Sequence, residues 1–163
     1  MKKAALIVLL FIIGGSAMAT QHKHKKKSKP AHEIISIAMR RTGCYGRCPA
    51  YIIEINKNGM ATYTAMRFTA DSGVFIKNIG ANLVKEIGNE VYDTRIDTCR
   101  DMYKSPNTDL PGLIFTITYA DSVKTINNAN YGPAVLRQLT QTMDGIVGKK
   151  VDETWQRQNT SVH

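Results

Sequence analysis

The residues with the greatest chemical capacity stand close together, in Arg41-Thr42-Gly43-Cys44-Tyr45-Gly46-Arg47-Cys48-Pro49. Two cysteines at this spacing can form a disulfide, share a metal ion or act as a redox pair, and a third, Cys99, makes the number odd. An extended chain would hold the α-carbons of Cys44 and Cys48 about 13 Å apart, beyond disulfide reach. Gly43 and Gly46 permit a tight loop instead, and Pro49 ends it. By loop-closure entropy a Cys44–Cys48 bridge is worth about 2 kcal/mol, and a bridge from either residue to Cys99 about 4 kcal/mol. Energy favours the long bridge and local concentration the short one. Proximity decides the expectation: Cys44 pairs with Cys48, and Cys99 remains a buried or free thiol.

Two active readings compete with this staple. A thiol oxidoreductase wants a cysteine of depressed pKa at a helix N-terminus, usually as Cys-x-x-Cys. Here the spacing is one residue longer, and the chain continues as Tyr51-Ile52-Ile53-Glu54-Ile55, a strand pattern. The stretch Cys44 to Pro49 also resembles the copper-binding motif of the cytochrome oxidase copper-delivery proteins, which implies a thioredoxin-like fold and a distant histidine ligand. No histidine lies between His32 and His163 to serve. The same gap removes the base of a hydrolase triad. Asp93, Asp97 and Asp101 are spaced to share a helix face, but such charges are usually solvated. Asp109, in Pro106-Asn107-Thr108-Asp109-Leu110-Pro111, suits a capping role toward the loop that holds Arg41 or Arg47, or ligand binding. No glycine-rich phosphate loop and no zinc spacing appears. The ligand or interaction candidates are therefore Arg41, Tyr45, Arg47, Tyr51 and Asp109.

The N-terminal residues read as an address. Lys2-Lys3 precede ten uncharged residues, Ala4 to Ile13, and Ala17-Met18-Ala19 offers the small residues that a signal peptidase reads. As a helix, Ala4 to Ala19 would span about 24 Å against a hydrocarbon core of roughly 30 Å, short for a permanent anchor. We expect residues 1–19 to be removed on export, to the periplasm or outer surface of a Gram-negative bacterium, leaving no transmembrane helix in the mature chain. His22 would then be the third mature residue. A free amine, two deprotonated amides and an imidazole form a square-planar nitrogen set for Cu or Ni, to which His24 can add. No other cofactor is expected.

Residues 20–31 hold Lys23, Lys25, Lys26, Lys27 and Lys29 and almost no apolar side chain, the pattern of a disordered linker. The run Lys23–Lys29 suits contact with an anionic surface, at about 1 kcal/mol per lysine. Of the 163 residues 43% are hydrophobic and 21% charged, which excludes a low-complexity chain. The formal charge is +9, yet from Pro30 onward 15 basic residues face 13 acidic ones. The basicity belongs to the tail rather than to a folded surface. No nucleic-acid partner is expected, because the lysine run has no interleaved aromatics.

The elements that must position these residues show in the periodicity. Apolar alternation marks strands at Ile34 to Arg41 (Ile35, Ile37 and Met39 inward), Ala50 to Lys57, Leu113 to Tyr119 and Val123 to Asn127. Met60 to Phe68 and Val74 to Ile79 read as two more, with Asn58-Gly59 predicting a type I′ hairpin turn. Helical spacing runs from Ala81 to Tyr92 and from Pro133 to Val147, with Gly148 as a stop. A short helix or turn is expected between Asp97 and Tyr103. The order ββββαββα predicts an α+β domain over residues 32–150. It has two layers: a mostly antiparallel sheet of about six strands, and two main helices on one face. Residues 151–163 read as a loose tail, with Trp155 large enough to dock back.

These residues resemble a family of exported bacterial domains, many from the Bacteroidetes, known only as a domain of unknown function. The likeness rests on Arg41 to Tyr51, on a hairpin with Gly59 and Tyr63, and on Tyr103 with Thr108-Asp109-Leu110-Pro111. It continues through Tyr131-Gly132-Pro133-Ala134 and the helix bearing Leu136 and Leu139. It implies an exported α+β domain and brings no catalytic residue. The sequence therefore points to a non-enzymatic binding or interaction module, with an envelope protein or small ligand as partner. The alternative is a copper-handling or thiol-redox protein using Cys44 and Cys48 or His22.

Overall fold

The computed structural model describes residues 33–107 and 109–158. Eight strands form one sheet: β1 (Ile34–Arg41), β2 (Ala50–Asn56), β3 (Met60–Arg67), β4 (Gly73–Asn78), β5 (Met102–Tyr103), β6 (Leu113–Tyr119), β7 (Val123–Asn128) and β8 (Gln156–Gln158). Their order is β5-β7-β6-β1-β2-β3-β4-β8, antiparallel except for β5 beside β7. Helices α1 (Ala81–Asp93) and α2 (Ala134–Val147) supply the second layer. The α+β class and the antiparallel sheet agree with the sequence. The strand number is eight rather than six, because β5 and β8 have two and three residues, too few to show alternation.

The register explains the core. Ile37 faces Ile55 on β2 and Ile117 on β6, and Met39 faces Ile53 and Phe115. All six are fully buried. Leu136, Leu139 and Met143 of α2 and Ile87 and Val91 of α1 close over them. Arg41 follows the same face one step further, between Tyr51 and Leu113. This two-residue period delivers the guanidinium to the helix-covered side, where the strand ends.

Three expectations need correction. A bulge between Ile34 and Ser36 shifts the register, so Ile34, not Ile35, pairs with Tyr119 and packs on the core. The Asn58-Gly59 turn is not type I′, since Asn58 keeps a negative φ and only Gly59 (φ 89°) is left-handed. Gly59 N–H donates to Asn56 O at 3.0 Å, giving a three-residue loop with its glycine in the bulge position. Residues 151–158 do not form a loose tail. Trp155 is buried against Tyr63, β8 pairs with β4, and Val151 N–H donates to Asp71 Oδ2 at 3.0 Å. One large indole offsets the ordering of a short segment that has no periodic pattern of its own.

Candidate functional site

The ends of β1, β3 and β7 and the starts of β2, β4 and β6 meet at one end of the sheet. There β1 runs into residues 42–49. Thr42 fixes the exit: its N–H donates to Gly112 O at 3.0 Å and its Oγ1 accepts from Gly112 N–H at 2.8 Å. Cys44 and Cys48 are joined in a disulfide with α-carbons 5.6 Å apart. Gly46 N–H donates to Cys44 Sγ at 3.2 Å inside the ring. Tyr45 N–H donates to the carbonyl of Asp109 at 3.4 Å, which ties the ring to residues 109–112. Asp109 thus reaches the ring through its backbone carbonyl. After Cys48 the chain enters β2 within two residues, so the cysteine pair leads into a strand rather than a helix.

The ring turns its large side chains outward. Tyr45 is 93% exposed. The Arg47 guanidinium lies 5.8 Å from the Phe68 ring centroid and that of Arg67 4.6 Å, two cations on one half-exposed aromatic. Phe68 has φ 55°, in the left-handed region that bulky side chains rarely enter.

On the helix side Arg41, Tyr51 and Asp144 form a hydrogen-bonded cluster. Arg41 Nε–H donates to Tyr51 Oη at 2.9 Å and to Asp144 Oδ1 at 3.2 Å. Arg41 Nη2 pairs with Asp144 Oδ2, and the Tyr51 hydroxyl donates to Asp144 Oδ1. Hydrogen bonding to Asp144 raises the Arg41 pKa above its ordinary value. Burial raises that of the Tyr51 hydroxyl, and its bond to Asp144 adds to this. The cluster clamps α2 to β1 and β2 across more than ninety residues of chain.

Of the residues singled out in the sequence, Arg41 and Tyr51 touch each other, and Tyr45 and Arg47 lie on the neighbouring ring. Asp144 was not among them. It is the single acidic residue of α2, one turn beyond the buried Thr140 and beside the buried Met143, and that position at the edge of an apolar face was the available signal. Cys99 is a free thiol packed half-buried against the core. Asp97 pairs with Arg95 and Asp101 with Lys124, so those two carboxylates answer different cations. Among the described residues no three His, Cys, Asp or Glu side chains gather into a metal-binding group, and no helix is long and apolar enough to cross a membrane. His22, His24 and Lys23–Lys29 lie outside the described residues.

The family model of a domain of unknown function (DUF6438) matches residues 35–147, from β1 to the last residue of α2. The chain belongs to this family. No curated protein matches it.

Proposed function

From the premise of membership in a family without an assigned activity, we propose that this protein is an exported, non-enzymatic interaction module. The stapled end of its sheet is the docking surface for an envelope protein. The carrying observation is the exposure of Tyr45 on a ring fixed by a disulfide and tied by hydrogen bonds to residues 109–112. An aromatic side chain on a pre-ordered loop loses little entropy when a partner covers it. Arg47, Phe68 and Arg67 extend the surface with the residue types that concentrate binding energy. No carboxylate among the described residues pairs with either arginine, so the surface favours an acidic face on the partner.

Export supports the same reading. Residues 1–19 carry the charge, apolar core and Ala-x-Ala end of a cleavable signal, and a disulfide persists where the medium is oxidising. The lysines of Lys23–Lys29 would then tether the domain and rest on anionic envelope lipid.

The test has two parts. Intact mass of natively purified protein should place the N-terminus at Thr20 with one thiol free; an N-terminus at Met1 or three free thiols overturns export with a staple. Binding of the protein to detergent-solubilised envelope protein should fall on Tyr45→Ala with Arg47→Ala. Undiminished binding by that double variant removes the docking surface.

A further inference from the structure

A polar recess of about 300 Å3 opens on the helix side of the same end, between α2, the ends of β1 and β7 and the start of β6. Arg41, Asn128, Asn130, Arg137, Gln141 and Asp144 line it. The recess lies at the lower end of the volumes that hold small ligands. It uses neither Tyr45 nor Phe68, so it stands apart from the docking surface proposed above.

Its charge is unbalanced. Two guanidiniums face one carboxylate, and Asp144 is already engaged by Arg41 and Tyr51. A guanidinium carries five N–H donors. Arg41 uses its Nε–H and one Nη2 donor within the cluster, and its remaining donors meet no acceptor among the described residues. Arg137 has no hydrogen-bond or ion-pair partner among them. Gly132 and Pro133 bring the start of α2 to the rim, and that first turn has neither a side-chain cap nor an acidic residue. The positive end of the helix dipole therefore adds to the two arginines without local compensation.

The walls are also fixed in advance. Asn128 is buried and its Oδ1 accepts from Gly132 N–H at 2.9 Å. Asn130, left-handed at φ 65°, donates from Nδ2 to Pro111 O at 2.6 Å. Tyr51 and Asp144 hold the Arg41 guanidinium plane in place. A held guanidinium, a free one and fixed amides make a fork geometry for an oxyanion.

We infer that this recess binds a small oxyanion, a carboxylate- or phosphate-bearing molecule, gripped by Arg137 and the free edge of Arg41. The test is an amide chemical-shift titration of the full chain with succinate and, in a separate arm, inorganic phosphate, at ionic strength held constant with sodium chloride. Saturable shifts at Gly132, Arg137 and Gln141 with a Kd of about 1 mM or tighter are expected in at least one arm, and the stronger arm identifies the oxyanion class. Arg137→Gln, an exposed change, should leave the fold intact and weaken binding about tenfold. Shifts that rise linearly without saturation, that sodium chloride alone reproduces, or that persist with unchanged affinity in Arg137→Gln overturn the inference.

Discussion

The two ends of the sheet are built in different ways. At the far end, turns 57–59 and 120–122 each hold a local closure: Asn56 Oδ1 accepts from Asn58 and Met60 N–H at 3.0 and 3.2 Å, and Tyr119 N–H donates to Ser122 O at 2.8 Å. The backbone of the same turns also reaches neighbouring segments, with Lys57 N–H donating to Ile35 O at 2.9 Å and Ala120 N–H to Glu33 O at 2.8 Å, while the Asn56 side chain bonds within its own turn. At the stapled end the ties are remote: Thr42 to Gly112, Tyr51 to Asp144 and Arg41 to Asp144 lie 70, 93 and 103 residues apart. Within the ring of Cys44 and Cys48 the closure is local and covalent. The far end thus engages its polar groups within its turns and with the adjoining chain. The stapled end anchors its frame from a distance and leaves Tyr45, Arg47 and Phe68 facing outward. A surface meant to bind needs that combination of fixed backbone and unspent side chains.

The sharpest challenge to this contrast is Gly59→Val. A Cβ there would lie 2.7 Å from the backbone of Ala81 and Gly80, at φ 89°. Strain and overlap together should cost about 3 kcal/mol, read as a lower urea midpoint. A loss under about 1 kcal/mol would show that the far end yields easily and that the two ends differ less than their hydrogen bonds imply.

Asp144→Ala tests the remote ties. It leaves the half-buried Arg41 and the buried Tyr51 without their shared acceptor and should cost about 2–3 kcal/mol in the same assay. Hydrogen exchange should quicken in α2 and at the end of β1 before it does in turn 57–59. Equal quickening at both ends would dissolve the distinction. Reducing the Cys44–Cys48 bond should cost about 2 kcal/mol, and exchange should rise within residues 42–49 while the far turns keep their protection.

A pH series refines the cluster further. Tyr51 has its folded pKa raised, by burial first and then by its bond to Asp144. The folded state therefore holds the proton longer than the unfolded chain, whose tyrosines titrate near about 10. The stabilisation from this group is complete below about pH 10 and is lost as pH rises beyond it. Tyr51→Phe should flatten that alkaline decline in urea midpoints recorded between neutral pH and about pH 11. An unchanged slope would place the hydroxyl outside the cluster. The smallest expected change in stability comes from Tyr45→Ala, within about 0.5 kcal/mol of the native protein because the ring is so exposed. A larger loss would mean that Tyr45 supports the fold rather than waiting for a partner.

Much of the frame was legible in the residues. Alternation at Leu113, Phe115, Ile117 and Tyr119 marked β6 to the residue, and the spacing from Ala81 and from Pro133 gave both helices, the second beginning one residue later in the structure. Each of these segments is long enough to repeat its own period. The short pairing of Cys44 with Cys48 followed from proximity along the chain. What escaped had no period to show. The strands β5 and β8 are too brief, and the bulge at Ile34 depends on how β1 meets Tyr119. Trp155 found Tyr63 across more than ninety residues.

The candidate site divides along the same line. Arg41, Tyr45, Arg47 and Tyr51 stood out because they flank a distinctive cysteine pair. Asp144 and Arg137 looked like ordinary polar residues of an amphipathic helix. Sequence alone determined which faces are apolar, where the chain turns and which cysteines are neighbours, since those follow from forces between residues close along the chain. Only tertiary structure decided that α2 lies across the end of β1 and the start of β6, bringing one carboxylate to Arg41 and Tyr51 and a second arginine to the same recess. Burial drives that packing by area and without direction, so it specifies that a helix must cover the sheet but leaves its polar partners to the final fit.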